Sequence, residues 1–170
     1  MKENIAARLE VIFSENGFAE PSVAQIKSAC EVSLRTLYKH FSSKEEMIVA
    51  ALNHRHNRYL DFLSDGVTNS GIEAIQHIFQ RLELWMGLYA PNGCMSVNAV
   101  AAFPKNKSIC NAVKIHKEQT RQFLAAYSLR EELASELLIL HEGVSSLWPL
   151  IGHEAFIAAQ ISILKLLKED

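Results

Sequence analysis

A chain of 170 residues, 49% hydrophobic and 21% charged, is long enough for one compact domain or for a small head on a larger body, and too apolar to be disordered. Its formal net charge of −2 excludes a bulk electrostatic attraction to nucleic acid, so any such attraction must come from where individual cations sit. The three cysteines, Cys30, Cys94 and Cys110, include no CxxC pair and read as small reduced apolar residues of a cytosolic protein.

Ile5, Leu9 and Ile12/Phe13 recur every three to four residues and predict a first amphipathic helix that stops at Asn16-Gly17. Pro21-Ser22 opens a short second helix with Val23, Ile26 and Cys30 inward. Ser33 is the N-cap of a third, whose Leu37 and Phe41 form a buried i, i+4 pair. Two short helices at a tight turn, with this spacing, have the pattern of a DNA-reading helix-turn-helix. Helical phase places Leu34 beside Leu37 and Phe41, facing inward. Ser43-Lys44-Glu45-Glu46 is a capping box in which the Ser43 oxygen accepts from the Glu46 amide and the Glu46 carboxylate returns to the Ser43 amide. That box starts a long fourth helix ending near Asp65-Gly66.

Thr68-Asn69-Ser70-Gly71 is the clearest linker. Beyond it the periodicity predicts helices over Ile72 to Tyr89, Cys94 to Phe103, Ser108 to Tyr127, Arg130 to about Trp148 (ending or kinking at Pro149) and His153 to Leu167. No strand-like alternation or internal repeat occurs. The fold class is therefore all-α, with about nine helices: a head over residues 1–47 and a helical body over 48–170. The last helix is apolar on nearly all sides, which demands burial on nearly all sides. A second copy meets that demand through a two-fold four-helix bundle using Leu138, Gly143, Ser146, Phe156, Ile157, Ile161 and Leu164. The expectation is a homodimer; burial within one subunit is the alternative.

The head resembles that of the tetracycline-repressor (TetR) family of bacterial transcription regulators. The resemblance rests on Ser22-Val23, Ile26, Ala29-Cys30, Val32-Ser33, Thr36-Leu37-Tyr38, His40-Phe41 and Ser43-Lys44-Glu45, spread over the first 50 residues or so. It implies that Ser33 to His40 enters the major groove, with Leu34, Arg35 and Thr36 nearest the base edges and Tyr38 and Lys39 on backbone phosphate. Lys44 and Ser22 are implied to hold phosphates at helix N-termini. Read from its own chemistry, Arg35 is the best base reader, because guanidinium pairs bidentately with guanine.

Three departures stand out. Glu31 occupies the turn position usually held by glycine, where a positive φ is expected to carry strain. Arg35 stands where many members have a small residue, and the basic arm before the first helix is reduced to Lys2. Residues 1–47 hold six cations (Lys2, Arg8, Lys27, Arg35, Lys39, Lys44) against seven carboxylates (Glu3, Glu10, Glu15, Glu20, Glu31, Glu45, Glu46), so the head is close to neutral.

The resemblance further implies a body that binds a small molecule and thereby releases the protein from a palindromic operator. Candidate pocket residues are Trp85, Met86, Tyr89, Met95, Asn98, Phe103, His116, Phe123, His141 and Trp148, which suit a hydrophobic or amphipathic effector. Neither a cofactor nor a metal is expected: His54 and His56 face different ways, and His77, His116 and His141 lie on separate helices. Cys94 has no basic neighbour along the sequence and reads as unreactive. The chain has no HExxH, GxxxxGK, GxSxG or strand-borne GxGxxG, so an enzyme is the weaker alternative. A helix-turn-helix module that binds protein instead of DNA is the other. No leader and no apolar run of about 20 residues occurs, so the expected location is cytoplasmic, with no membrane partner.

Overall fold

A computed structural model describes residues 1–168. Among the described residues there are nine α-helices and no strand: α1 Lys2–Asn16, α2 Val23–Ala29, α3 Leu34–His40, α4 Lys44–Ser64, α5 Ile72–Tyr89, α6 Met95–Ala102, α7 Lys107–Ser128, α8 Ala134–Ile151 and α9 His153–Lys168. A 3₁₀ turn, Glu131–Leu133, leads into α8.

The chain forms two compact units whose bounds differ from the expected division at residue 47. The first comprises Met1–Arg58 and Met95–His116; the second comprises Tyr59–Cys94 and the chain from Lys117 onward. The first has its own apolar core, in which Leu9 and Phe13 of α1, Ile26 of α2, Leu37 of α3 and Ile48 and Leu52 of α4 are buried with Met95, Ile109 and Val113. The second core gathers Leu63, Ile75, Phe79, Leu82, Trp85, Leu124, Leu137, Val144 and Ile163. Within it α9 packs against α8 and α5. The helices α4 and α7 each supply one half to either unit, because each is continuous through the residue where the units meet in sequence.

Two local expectations are corrected. The helix α8 does not stop at Pro149: a proline near a helix end removes a single ladder hydrogen bond, and α8 continues to Ile151, before Gly152 turns the chain at φ 51°. At the start of α4, Ser43 Oγ does accept from the Glu46 amide at 3.2 Å. The Glu46 carboxylate, however, accepts from the Ser42 amide at 2.7 Å, one residue earlier than a capping box requires. The reciprocal box lies instead on α2, between Ser22 and Gln25.

Candidate functional site

The helix α3 is only seven residues long, and its N-terminus is held by Ser33, whose Oγ accepts from the Thr36 amide at 3.0 Å. The Thr36 hydroxyl shares a 2.8 Å hydrogen bond with the same Ser33 Oγ, so it serves the cap. Leu37 and, just past the helix, Phe41 anchor it at 0% and 2% exposure. Arg35 and Lys39 are exposed. Leu34 is 48% and Tyr38 45% exposed, which corrects the inward reading of Leu34. Residues 34 and 38 lie about 40° apart on a helix and share a face. Two turns of helix bury only the narrow stripe through 37 and 41, leaving that face open.

Glu31, at the turn between α2 and α3, has φ 54°, as the sequence predicts for a position that favours glycine. Arg8 of α1 pairs with its carboxylate at 2.8 Å, and this pairing lowers the Glu31 pKa and raises that of Arg8. Lys44 opens α4 and donates to the Ala19 carbonyl at 3.2 Å. Ser22 is exposed at the start of α2, its amide donating to Gln25 Oε1 at 2.8 Å. His40 is half-buried at the end of α3, next to Phe41. The nine residues expected to meet DNA are thus divided: Leu34, Arg35, Tyr38 and Lys39 project from α3, Ser22, Ser33 and Thr36 are engaged in caps, and His40 and Lys44 are half-covered.

The head contains a charged cluster that periodicity did not single out. Glu10, 3% exposed on α1, accepts from Arg55 Nη1 at 2.9 Å and Arg58 Nη2 at 2.5 Å, and pairs with His54 Nδ1 at 2.8 Å. Burial alone raises a carboxyl, but the hydrogen bonds from Arg58 and His54 and the charges of Arg58 and Arg55 outweigh it and hold Glu10 below the usual carboxylate range. The available signal was a carboxylate among the inward residues of the first helix, with arginines three apart on the fourth.

In the second unit a polar chain links four segments. Tyr59 OH of α4 bonds His141 Nε2 of α8, and His141 Nδ1 lies 3.0 Å from Glu142 Oε1. Lys117 of α7 donates at 2.7 Å to both oxygens of Glu142 and at 3.4 Å to Cys94 Sγ, just before α6. Burial alone raises Glu142, but the His141 hydrogen bond and the charges of His141 and Lys117 bring it down to about 2. Burial alone lowers Lys117; the charges of Cys94 and Glu142 outweigh this and hold its ammonium above the usual lysine range. Cys94 therefore has a basic neighbour after all, 23 residues away in sequence. Gly93 permits the approach: at φ 88°, a Cβ there would stand 3.3 Å from Pro149 Cγ.

The pocket candidates fall into both units. Met95 is buried in the first core, with Phe103 packed against it; His116 bonds Asn53 at 2.8 Å and stacks on His56, and Asn98 is exposed. Trp85 and Met86 are buried in the second core, Phe123 and Trp148 pack against it, His141 joins the polar chain, and Tyr89 contacts Trp85 at 4.8 Å. None lines the groove of about 420 Å³ between Arg121 and Glu131. Of the self-association candidates, Ile157 and Ile161 are 43% and 51% exposed, Ser146 is exposed, and Leu138, Gly143 and Leu164 are half-buried. Phe156 is corrected: at 8% exposure it faces its own core, beside Ala159 and Ile163. Ile139 and Leu150, 69% and 78% exposed, enlarge the apolar face.

Comparison with known proteins places these features. A family profile described as bacterial regulatory proteins, tetR family, matches residues 5–51. Over 49 residues the chain is 47% identical to the HTH-type transcriptional regulator UidR of Escherichia coli, a match covering 29% of this chain and a quarter of that relative's length. SCO4454, a TetR-family regulator of Streptomyces coelicolor, superposes with a TM-score of 0.85 at 18% identity, over 99% of this chain and 91% of its own. A TetR regulator of Legionella pneumophila gives 0.76 at 24%, over 99% and 97%. These likenesses extend the shared fold through the body, whereas the sequence match is confined to the head.

Proposed function

We propose, for a chain whose head belongs to the tetR family of bacterial regulatory proteins and whose fold is that of the family's solved members, the role of a ligand-responsive DNA-binding regulator of transcription. The carrying observation is α3: a capped helix anchored by Leu37 and Phe41, with Leu34, Arg35, Tyr38 and Lys39 exposed together. Arg35 has the donors to read a guanine edge, and exposed Leu34 suits a thymine methyl. Tyr38, Lys39, Lys44 and Ser22 are assigned to backbone phosphate, which positions the helix without reading sequence. Residues 1–47 act as the head and 48–170 as the sensing and dimerising body. Fold and family are those of regulators and not of enzymes.

The near-neutral head binds DNA weakly alone, and a homodimer doubles its contacts. Exposed Ile139, Leu150, Ile157 and Ile161 on α8 and α9 support that assembly, since a row of large apolar side chains is costly to leave in water. Two heads then meet a palindrome with half-sites one helical turn apart, about 34–36 Å. An effector held by the body lowers DNA affinity by preferring another head spacing, which makes the protein a repressor released by its ligand. Trp85, Met86, Phe123, His141 and Trp148 supply the apolar and polar lining of that site in the second unit. Among the described residues no helix is long and apolar enough to cross a membrane, which agrees with a cytoplasmic regulator.

The test is retardation of random duplex at low salt, then selection of a preferred duplex from a random pool. Retardation that weakens steeply with salt, followed by enrichment of a palindrome, is expected. No retardation at low salt refutes DNA binding and leaves the head as a protein-interaction module.

A further inference from the structure

We propose that Cys94 is a site of covalent addition for α,β-unsaturated carbonyl compounds, with Lys117 as the assisting acid, and that this class of electrophile supplies the effector. The effector role rests on the regulator reading above; the addition chemistry does not.

The three cysteines occupy contrasting surroundings. Cys30 is 3% exposed within the first core. Cys110 is half-buried, and its S–H donates to the carbonyls of Phe103 and Pro104, each at 3.7 Å. Cys94 is equally half-buried, but its sulfur accepts from an ammonium at 3.4 Å. Carbonyl oxygens stabilise the protonated sulfur, while an ammonium stabilises the negative charge that sulfur carries as it attacks. Glu142 keeps that ammonium charged and aimed, taking two of its three N–H groups at 2.7 Å and leaving the third for the sulfur.

In the addition the Cys94 sulfur bonds the β-carbon as the C=C π bond breaks, and the electron pair moves to the carbonyl oxygen as an enolate. Lys117 gives a proton toward the α-carbon and regains the one lost by the thiol. The net change is S–H added across C=C, with nothing oxidised or reduced. A thioether sulfur is a weak acceptor, so the third N–H of Lys117 is released and turns to the new carbonyl oxygen. That shift acts on a chain reaching Tyr59 through Glu142 and His141, and Tyr59 lies on α4, the helix that begins at Lys44 of the head.

The experiment treats the full chain with methyl vinyl ketone and follows adducts at each cysteine by peptide mass spectrometry, with butan-2-one as the non-electrophilic control. Cys94 is expected to react about tenfold or more faster than Cys110. Lys117→Met should bring the two rates together, and Lys117→Arg should retain most of the difference. Equal rates in the parent overturn the proposal without needing any variant to fold, and so does a Cys94 rate indifferent to Lys117→Met. The adduct should then release a duplex selected by the unmodified protein, whereas butan-2-one should not. Full modification of Cys94 with unchanged DNA affinity overturns the effector role. If the unmodified chain selects no duplex, the regulator reading falls and the effector role with it, while addition at Cys94 is still judged by the rates.

Discussion

Replacing Glu10 by alanine withdraws the only carboxylate seen to meet Arg55, whose side chain is 10% exposed, and leaves that guanidinium without its Glu10 bond in the first core. Removing one partner of a buried pair costs about 3–5 kcal/mol. Arg58, 39% exposed at its side chain, is screened by water and adds little, so the low end applies, about 3 kcal/mol. For a chain of this length that corresponds to a fall in melting temperature of about 6–12 °C. Glu10→Gln keeps the shape but loses the charge, and should cost about 2 kcal/mol. The acid dependence follows from the sign of the shift. The folded carboxyl lies below its ordinary value, so its stabilisation is complete above the unfolded pKa of about 4.3 and is lost as pH falls through the lower folded value. The gap between parent and Glu10→Gln should therefore be full at neutral pH and close progressively below pH ~4. Urea denaturation at fixed protein concentration, repeated from neutral pH to pH ~3, reads both quantities. A loss under about 0.5 kcal/mol for both variants, or a gap that does not change with pH, refutes the reasoning.

At the turn, Glu31→Gly relieves a left-handed backbone while giving up an exposed pair with Arg8, and a rise in melting temperature of about 2–4 °C is expected at moderate salt; a fall would mean that the Arg8 pair matters more than the backbone. For DNA, Arg35→Ala should cost about 1–3 kcal/mol on the selected duplex and relax discrimination at one base pair. Lys44→Ala should weaken all duplexes alike and lower the salt slope by about 1; matching effects from both variants on every sequence would contradict their separate roles. For assembly, the parent should sediment at twice its 19.1 kDa and the double variant Ile157→Asp/Ile161→Asp at the single-chain mass, with helix content preserved. A parent of single-chain mass at micromolar concentration would remove the dimer from the account.

Local chemistry written over a few residues was legible without coordinates. Asn16-Gly17 ends α1, Ser33 caps α3, and Glu31 takes the positive φ that its place in the turn demands. All nine helices follow from apolar spacing, because each helix must turn one stripe toward a core and that stripe recurs every three to four residues. The head's identity was legible for the same reason: its residue types fall at fixed short offsets. Periodicity reports only direction around a helix axis, and it fails where a helix is too short to bury a full stripe. Leu34 is such a case. It has the phase of a core residue, yet a two-turn helix anchored at Leu37 and Phe41 leaves it in solvent.

What the tertiary structure alone decided are the meetings of residues distant along the chain. Glu10 joins arginines 45 and 48 positions away, and Cys94 meets Lys117 only because α7 runs past the turn before α6. Phe156 and Ile157 are neighbours of the same character, and packing against α5 and α8 turned one inward and the other outward. A sequence fixes which side chains share a helix face, since that depends on bond geometry within a turn or two. Which faces meet depends on how several helices pack at once, and the reactivity of a thiol or the burial of a carboxylate is set by that packing.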